Sequence, residues 1–320
     1  DPLENKVLDF VNGQQDIKHR VIRAIGDAEI RFREDHLRLM RAVRFASKLN
    51  FSIHQETFSA LQKLAPLVQS VSTERIRDEI LKVLTEGGAR RGFELLDDTG
   101  LLHEVLPEVE KMKGVEQPPQ FHPEGDVWVH TLMMLSQLKS PTPSLALGVL
   151  LHDVGKPPTF SISDRIRFNN HADVGTRMAE EICRRLRLPM RVTERVCELI
   201  KHHLRFKDFP RMRPAKQKRF LRMDGFEEHL ELHRLDCNSS HSNLTNYELA
   251  RKMLTETPVE KIHPIPLITG HNLIEQGYKP GPIFKKILSA VEDAQLEGTL
   301  NSQPDALQLI QDKLVWMLNE

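Results

Sequence analysis

Cysteine is scarce in this sequence. Its 320 residues contain three cysteines, Cys183, Cys197 and Cys237. They are too few and too scattered for a disulfide framework or a Cys-x-x-Cys zinc site. Their scarcity therefore excludes the small disulfide-stabilised secreted domains and favours a reducing compartment.

Long apolar runs and net charge are also missing. No apolar run approaches the roughly 20 residues that a membrane-spanning helix needs, and no segment resembles a signal peptide. We therefore expect a cytoplasmic protein with no membrane partner. The 45 lysines and arginines balance the 45 aspartates and glutamates, so any contact with nucleic acid must come from local basic patches and not from overall charge.

The N-terminal residues resemble the interior of a domain and not its start. Asp1 and Pro2 lead directly into KVLDFV, a strand-like run, and we interpret the sequence as part of a longer protein. Residues 5–11 predict one strand and Gly13 a turn, whereas nearly every later periodic segment has helical spacing. The predicted fold class is all-α, with one short strand at the N-terminus.

Helices are predicted on both sides of a proline- and glycine-rich loop between Leu106 and Glu124, which marks the clearest domain boundary. One helix should begin after Ser72 and stop at Gly87. A second break at residues 255–270 precedes a C-terminal unit. The other predicted helices cover residues 34–49, 89–98, 127–138, 143–153, 171–187, 190–204 and 226–238.

Imidazoles and carboxylates recur at intervals on these helices. The residues are His130, the adjacent pair His152 and Asp153, His171, His203 and Asp236. Side chains of these types on successive helices can close around one or two divalent cations. The adjacent pair can share a cation because Gly155 and Pro157 end the helix beside it.

Such a ligand set without thiolate suits Mg²⁺, Mn²⁺, Ni²⁺, Fe²⁺ or Zn²⁺, which acidify a bound water for attack on phosphorus. Lys156 lies within one turn of the pair, where it could hold a phosphate oxygen. The alternative is a set of hydrogen-bonded core histidines, which is the better interpretation of any single one. This alternative does not explain why an adjacent His–Asp pair occurs together with further histidines and an aspartate at intervals along the chain.

The segments HPEGDVWVHTLMML and LLHDVGKP, with the later aspartate, resemble the signature of the HD phosphohydrolase superfamily. The resemblance implies that His130, His152, Asp153 and Asp236 bind a divalent metal such as Mg²⁺, Mn²⁺ or Ni²⁺. His171 and His203 match the histidines that hold a second ion in some members. With Lys156, the His–Asp pair would form the catalytic set.

A second pattern lies upstream, where one acid and three arginines recur every three residues along a predicted helix. They are Asp35, Arg38, Arg41 and Arg44. A carboxylate one turn from a guanidinium can hydrogen-bond the Watson–Crick edge of a base, while further arginines face a triphosphate. From spacing alone, a solvated helical face with an i,i+3 ion pair is the simpler explanation.

The amino-acid sequence of this segment, IGDAEIRFREDHLRLMRAVRFASKL, resembles the base-recognition motif of the class II tRNA nucleotidyltransferases. These include bacterial CCA-adding enzymes and poly(A) polymerases. The resemblance continues in order through VSTERIRDEILKVL, FELLDDTGLLHEVLPE, the HD segments and LITGHNLIEQGYKPGPIFKKILSAVEDAQLEG. It therefore covers nearly the whole chain.

This resemblance implies four segments and a nucleotide pocket. Asp35 and Arg38 would select the incoming base, and Arg41 and Arg44 would line the pocket. The N-terminal strand would be a remnant of an α+β head. The implied segments are the end of the head at 1–33, a neck at 34–105, the HD domain at 106–250 and a helical, tRNA-binding tail at 251–320.

The implied activity is the addition of nucleotides from CTP or ATP to the 3′ end of tRNA or another RNA, with a separate HD phosphohydrolase site. The sequence does not separate CCA addition from poly(A) addition. That family's Asp-x-Asp pair, which binds two Mg²⁺, occurs nowhere in the 320 residues. We therefore expect that the chain alone does not polymerise nucleotides.

Two alternatives remain open. One is a free-standing HD phosphohydrolase or phosphodiesterase that acts on nucleotides or RNA ends. The other is a non-catalytic RNA-binding module with a vestigial metal site. A basic segment at 191–222 could follow tRNA phosphates, although a solvated helical face explains it equally well.

Overall fold

The computed structural model describes residues 3–5, 7–118 and 125–314. These residues form two compact units. The first contains the residues up to His203 together with Glu231–Asn243. The second contains Leu204–Leu230 and the described residues from Leu244 onward. The domain boundaries that the sequence predicts at 33/34, 105/106 and 250/251 stay a prediction.

The described chain is mainly helical, as predicted. Its first helices are α1 (Gly13–His19), α2 (Ala28–Glu34), α3 (Leu37–Leu49), α4 (Gln55–Leu64), α5 (Thr73–Thr85), α6 (Ala89–Asp98), α7 (Leu101–Val105), α8 (Pro107–Glu110), α9 (Val127–Ser136), α10 (Pro143–Leu151), α11 (Lys156–Thr159), α12 (His171–Arg185) and α13 (Met190–His202). They are followed by α14 (Pro214–Leu221), α15 (Phe226–Ser239), α16 (Thr245–Glu256), α17 (Val259–Ile262), α18 (Gly270–Glu275), α19 (Pro282–Glu297) and α20 (Gln303–Leu309). Shorter helical turns cover Ala65–Ser70, His203–Lys207, Phe209–Arg211 and Ile310–Leu314.

Strand pairing in the described residues consists of two short sheets and one isolated antiparallel bridge between Glu116 and Asp126. Strand β1 (Val21–Ile22) pairs in parallel with β2 (Ser52–Ile53). Strand β3 (Phe160–Ile162) forms an antiparallel hairpin with β4 (Ile166–Phe168), in the register Ser161 opposite Arg167.

The N-terminal strand predicted at 5–11 is wrong for the part of it that the structure describes. Residues 7–11 form no strand, and Lys6 lies outside the described residues. The carboxylate of Asp9 instead accepts hydrogen bonds from the backbone N–H groups of Gly13 (2.9 Å) and Gln14 (2.8 Å). These bonds satisfy the first free donors of α1, so the chain turns into a helix where we expected a strand and a Gly13 turn.

The core of the first unit consists of helices packed through apolar faces. Helix α10 is buried along its whole length from Leu145 to Leu151, which is typical of a central helix. Thr142 caps it by accepting from the N–H of Leu145 at 3.1 Å. In α3, Val43 and Ala46 are fully buried, whereas Leu49 in its last turn is 49% exposed.

The second unit has two apolar clusters. The first contains an aromatic group in which Phe220 lies 4.9 Å from Phe206 and 5.2 Å from Phe226, measured between ring centroids. The second centres on Phe284 and Ile287 of α19. The phenylalanines of the basic segment, Phe206, Phe209 and Phe220, are therefore part of the interior. Among the described residues, no helix is long and apolar enough to cross a membrane.

Candidate metal centre and nucleotide pocket

Helix ends bring the predicted metal ligands together in the first unit. His152 and Asp153 follow α10 directly, His171 begins α12, and His203 follows α13. His130 and Asp236 lie within α9 and α15. Helices predicted from 127–138, 143–153, 171–187, 190–204 and 226–238 are present with bounds that differ by at most two residues. Because each of these residues lies within a helix or at its end, the packing of the helices determines whether their side chains meet.

Two triplets of possible ligands share one carboxylate. In the first, donor atoms of His130, His152 and Asp153 all lie within 4.8 Å of one another. In the second, the same is true of Asp153, His171 and His203. Asp236 lies beside the first triplet, with its Oδ1 at 3.2 Å from Nε2 of His130. The structure therefore brings all six predicted residues together, while their role as ligands stays a prediction.

The two carboxylate oxygens of Asp153 face different neighbours. Oδ2 lies 3.1 Å from Nε2 of His152 and 2.7 Å from Nζ of Lys156. Oδ1 lies 3.7 Å from Nε2 of His171 and 4.0 Å from Nε2 of His203. This arrangement suits a carboxylate that bridges two adjacent cation positions.

Three histidines of the centre are held by the same backbone contact. Nδ1 of His152 lies 2.9 Å from the carbonyl of Val149, Nδ1 of His171 lies 2.8 Å from that of Phe168, and Nδ1 of His203 lies 2.6 Å from that of Ile200. A carbonyl only accepts, so each Nδ1 carries the proton. Each Nε2 then offers a lone pair toward Asp153, which is the usual orientation of metal-binding histidines.

These lone pairs lack matching donors, which favours a cation. Nε2 of His171 and Nε2 of His203 are 3.3 Å apart, and two lone pairs cannot hydrogen-bond to each other. Within the described residues, the buried Nε2 of His152 also has no hydrogen-bond partner of suitable geometry. Buried polar atoms of this kind are rare in stable proteins unless a ligand satisfies them. The residues present therefore fit one or two divalent cations.

The electrostatics keep the centre in the protonation states that ligands need. Burial lowers the pKa of His203 to about 4 and also lowers the pKa of His171. Burial would raise the pKa of Asp153, but His152 and Lys156 outweigh it and hold that pKa well below its ordinary value. Burial likewise opposes ionisation of Asp236, but His130 keeps its pKa low. Near neutral pH, His171 and His203 are neutral and both carboxylates are ionised.

Two glycines allow the turn after α10 to reach the start of α12. A Cβ on Gly155 would lie 2.2 Å from the carbonyl oxygen of His171 and 2.5 Å from the backbone nitrogen of Gly175. No side chain fits at that distance, so glycine is required at position 155. This contact places His171 against the His–Asp pair.

Lys156 lies at the edge of the centre and is buried. Its Nζ contacts Asp153 and donates to Oε1 of Gln117 at 2.5 Å, and it lies 5.3 Å from the ring centroid of Phe168. The sequence placed Lys156 near the pair but gave no signal for Gln117, because a glutamine in a proline-rich loop has no periodic partner.

The predicted nucleotide pocket differs from its expected form at Asp35. The sequence predicts Asp35 on a helix, whereas the structure places it between α2 and α3 in an extended conformation. Its Oδ1 accepts from the N–H of Leu37 at 3.2 Å, which begins α3 three residues later than predicted. Burial opposes ionisation, but Leu37 and Arg75 lower the pKa of Asp35 below its ordinary value. Asp35 is therefore an ionised acceptor.

The four predicted pocket residues have different partners. Asp35 pairs with Arg75 at 3.2 Å and lies 4.0 Å from Arg41. Arg38 donates to Glu34 at 2.6 Å and to the carbonyl of Arg31 at 2.8 Å. Arg44 is 12% exposed and binds the buried Glu79 at 2.6 Å.

A cavity of about 310 Å³ opens beside this region. Arg38 and Arg41 line it, and neither Asp35 nor Arg44 is among its lining residues. Its other lining residues include Arg23, Arg31, Phe32 and Phe45. The structure thus unites Arg38 with Arg41 at an opening, and it holds Arg44 against Glu79. The sequence did not single out Glu79, which lies on the buried face of α5.

Two family descriptions match parts of the chain. "Probable RNA and SrmB-binding site of polymerase A" matches residues 50–113, and "HD domain" matches residues 127–233. The second match contains five of the six clustered residues, and it ends three positions before Asp236.

Curated relatives match over most of the sequence. An A-adding tRNA nucleotidyltransferase of Deinococcus radiodurans is 31% identical over 325 aligned residues, which cover 96% of this chain and 74% of the relative. A multifunctional CCA protein of Acinetobacter baumannii is 32% identical over 68% of this chain, which spans 54% of that protein. A multifunctional CCA protein of Dechloromonas aromatica is 36% identical over 58% of this chain and 45% of its own length.

Solved structures share the fold. The Bacillus stearothermophilus CCA-adding enzyme in complex with CTP superposes with a TM-score of 0.68 at 24% identity, over 98% of this chain and 70% of that one. The Thermotoga maritima CCA-adding enzyme complexed with tRNA superposes with a TM-score of 0.54 at 18% identity, over 96% and 67% of the two chains. At these identities the likeness establishes the fold.

Proposed function

The chain belongs to the tRNA nucleotidyltransferase family, and from that premise we propose that it takes part in adding nucleotides from CTP or ATP to the 3′ end of tRNA. The observation that carries the proposal is the match to the A-adding relative across 96% of the chain. The same match favours this function over a free-standing hydrolase. The 320 residues contain no Asp-x-Asp pair, so the proposal assigns the Mg²⁺-binding carboxylates of the transfer to residues outside this sequence.

In this proposal the chain supplies the surface that recognises the base. Asp35 offers an ionised acceptor held by Leu37 and Arg75. Arg38 and Arg41 offer donors at the edge of the cavity. An acceptor beside a planar donor group can pair with the Watson–Crick edge of cytosine or adenine.

A chimeric enzyme tests this proposal. The chain is joined to the nucleotidyltransferase head of the Deinococcus relative, and the extension of tRNA by CTP and ATP is measured separately. We expect Asp35→Ala to change the ratio of the two kcat/KM values by about tenfold or more, because one charge-assisted hydrogen bond is worth about 1.5–3 kcal/mol. Asp78→Ala, an exposed acid on α5, serves as the matched control. An unchanged ratio in the Asp35 variant would refute base selection at this residue.

We also propose a second, hydrolytic activity at the metal centre, on phosphate esters of nucleotides or RNA ends. The observation that carries it is the pair of ligand triplets that share Asp153. His130, His152, Asp153 and Asp236 would hold one cation, and His171 and His203 would complete a second position with Asp153. Mg²⁺, Mn²⁺ or Ni²⁺ suits this donor set, and a bound cation would lower the pKa of a coordinated water and polarise a phosphoryl oxygen.

The chain's own residues prepare this centre before any substrate arrives. The carbonyls of Val149, Phe168 and Ile200 fix the three imidazole rings in one tautomer. Lys156 places a fixed positive charge at the carboxylate, where it can also bind a phosphate oxygen. Such preorganised charge is worth more in a buried site than in water.

Metal-dependent hydrolysis tests the second proposal. The chain is incubated with Mn²⁺ or Ni²⁺ and with 2′,3′-cyclic AMP or p-nitrophenyl phosphate, and metal binding is measured by calorimetry. We expect Asp153→Asn to lower both metal affinity and hydrolysis by at least about a hundredfold. Asp164→Asn, an exposed acid in the β3–β4 turn, is the control. Tight metal binding by the Asp153 variant would contradict the assignment.

A further inference from the structure

The side chain of Gln117 has a buried donor that the assigned functions do not use. Gln117 is 2% exposed, and its Oε1 accepts from Nζ of Lys156 at 2.5 Å. An ammonium only donates, so the amide oxygen must face Lys156 and the amide nitrogen must face away from it. That nitrogen, Nε2, is buried and has no hydrogen-bond partner in the described part of the chain.

Backbone contacts hold this side chain in place. The N–H of Gln117 donates to the carbonyl of Gly125 at 2.7 Å, and the N–H of Val127 donates to the carbonyl of Val115 at 3.1 Å. These bonds fix the segment beside the start of α9, the helix that carries His130. The unmatched donor is therefore not a surface amide that could rotate into water.

The contacts of Gln117 connect it directly to the metal centre. Its amide oxygen holds Lys156, and the same ammonium lies 2.7 Å from the carboxylate of Asp153 that both ligand triplets share. An unsatisfied buried donor is costly, and native proteins keep one mainly where a ligand or a water completes it. A donor beside a phosphate-cleaving centre calls for an oxygen acceptor.

We propose that Gln117 is a substrate-binding residue of the hydrolytic site, which donates from Nε2 to a non-bridging phosphate oxygen while its Oε1 positions Lys156. The amide and the ammonium would then form a two-donor clamp for one phosphate group. This inference rests on the proposed hydrolytic function of the same centre. It adds a specificity for phosphate oxygens that the metal ligands alone do not supply.

Binding of inorganic phosphate to the Mn²⁺-loaded full chain tests the inference without turnover. We expect Gln117→Leu to weaken phosphate binding by about tenfold to a hundredfold, since a hydrogen bond to a charged group is lost. The affinity for Mn²⁺, measured separately by calorimetry, should change by less than about threefold. Gln62→Leu, at an exposed glutamine of α4, is the matched control and should leave both affinities unchanged.

A double-mutant cycle with Lys156→Met separates a direct donor from an indirect effect. If Gln117 donates to phosphate, Gln117→Leu weakens phosphate binding in the Lys156→Met background as well. If it acts only by holding the ammonium, the second substitution has no further effect, and the inference is overturned. Thermal unfolding checks folding, and Gln117→Glu, which keeps an acceptor for Lys156, replaces the leucine variant if that protein does not fold.

The failures of the two proposals are distinguishable. If the wild-type chain binds no Mn²⁺ and hydrolyses no phosphate ester, the hydrolytic function itself is refuted. If the wild-type chain binds phosphate and Gln117→Leu binds it equally well, only the role of Gln117 is refuted, and a buried water is then the partner of Nε2. A fall in Mn²⁺ affinity as large as the fall in phosphate affinity would also overturn the inference, because Gln117 would then support the ligands.

Discussion

Because histidines of the metal centre are buried as neutral groups, the free energy of unfolding depends on pH. Burial lowers the pKa of His203 to about 4 from an ordinary value of 6.5, and it lowers the pKa of His171 in the same direction. Below pH 6.5 the unfolded chain therefore binds protons that the folded chain does not. The free energy of unfolding must fall as the pH decreases through this interval.

We predict that the metal-free chain, kept in chelator, loses on the order of 1 kcal/mol of stability through His203 for each pH unit between 6.5 and 4. Urea unfolding at a series of pH values measures this slope. His203→Gln should reduce this slope by the contribution of about one bound proton, because the residue no longer titrates. His241→Gln, at an exposed histidine outside the cluster, should leave it unchanged. An identical slope in the His203 variant would show that this ring is not buried as a neutral group.

At the scale of residues, the sequence predicts which residues form the site better than it predicts which residues contact each other. His130, Asp153 and Asp236 were identified because imidazole and carboxylate have few other reasons to recur in apolar helices. The spacing of residues does not predict that Arg44 binds Glu79 or that Arg75 binds Asp35. An arginine can reach any acid within several ångströms, so its partner depends on how α3 and α5 pack.

At the scale of elements, the contact between the turn after α10 and the start of α12 determines whether the two ligand triplets meet. Gly155 has an ordinary negative φ, so it is required by space and not by backbone conformation. The atoms that a Cβ would meet are the backbone of His171 and Gly175, which cannot rotate away as a side chain could.

We predict that Gly155→Ala destabilises the chain by about 1–3 kcal/mol, the usual cost of overpacking a tight contact. It should also weaken metal binding, because α12 must move away from the His–Asp pair. Thermal unfolding and metal titration measure the two effects. Gly281→Ala is the control, since that glycine is extended and has no atom within 4 Å of the added methyl group. An unchanged melting temperature in the Gly155 variant would contradict the close contact.

Element boundaries show where periodicity is informative. Helices with a nearly continuous apolar run, such as α9 and α10, and helices with strong apolar periodicity, such as α13, occur where the sequence predicts them. The strand predicted at 5–11 is absent from the described residues of that segment, where Asp9 instead caps α1. Periodicity indicates which face is buried, but it does not show whether a neighbouring strand exists to receive the hydrogen bonds.

At the scale of the whole molecule, the nucleotide pocket and the metal centre use separate residues of the first unit. Asp35 is bound by Arg75 and Arg41, whereas Asp153 is bound by Lys156 and histidines that follow other helices. The two regions are connected through α5. Arg77 of α5 donates to the carbonyl of Arg187 at 2.7 Å just beyond α12, Glu74 of α5 pairs with the side chain of Arg187, and α5 also packs against α10. The polar contacts among these are exposed and can transmit little energy.

We therefore predict that the two sites act independently. Asp35→Ala should weaken CTP binding and leave Mn²⁺ binding and phosphate-ester hydrolysis within about twofold of the wild type, and Asp153→Asn should do the reverse. In the double variant the free-energy changes should add within about 0.5 kcal/mol. Equilibrium titration of CTP and Mn²⁺ and the hydrolysis rate measure all three quantities. If Asp35→Ala abolished hydrolysis while the protein stayed folded, the pocket would belong to the hydrolytic centre, and base recognition for nucleotide addition would lose its support.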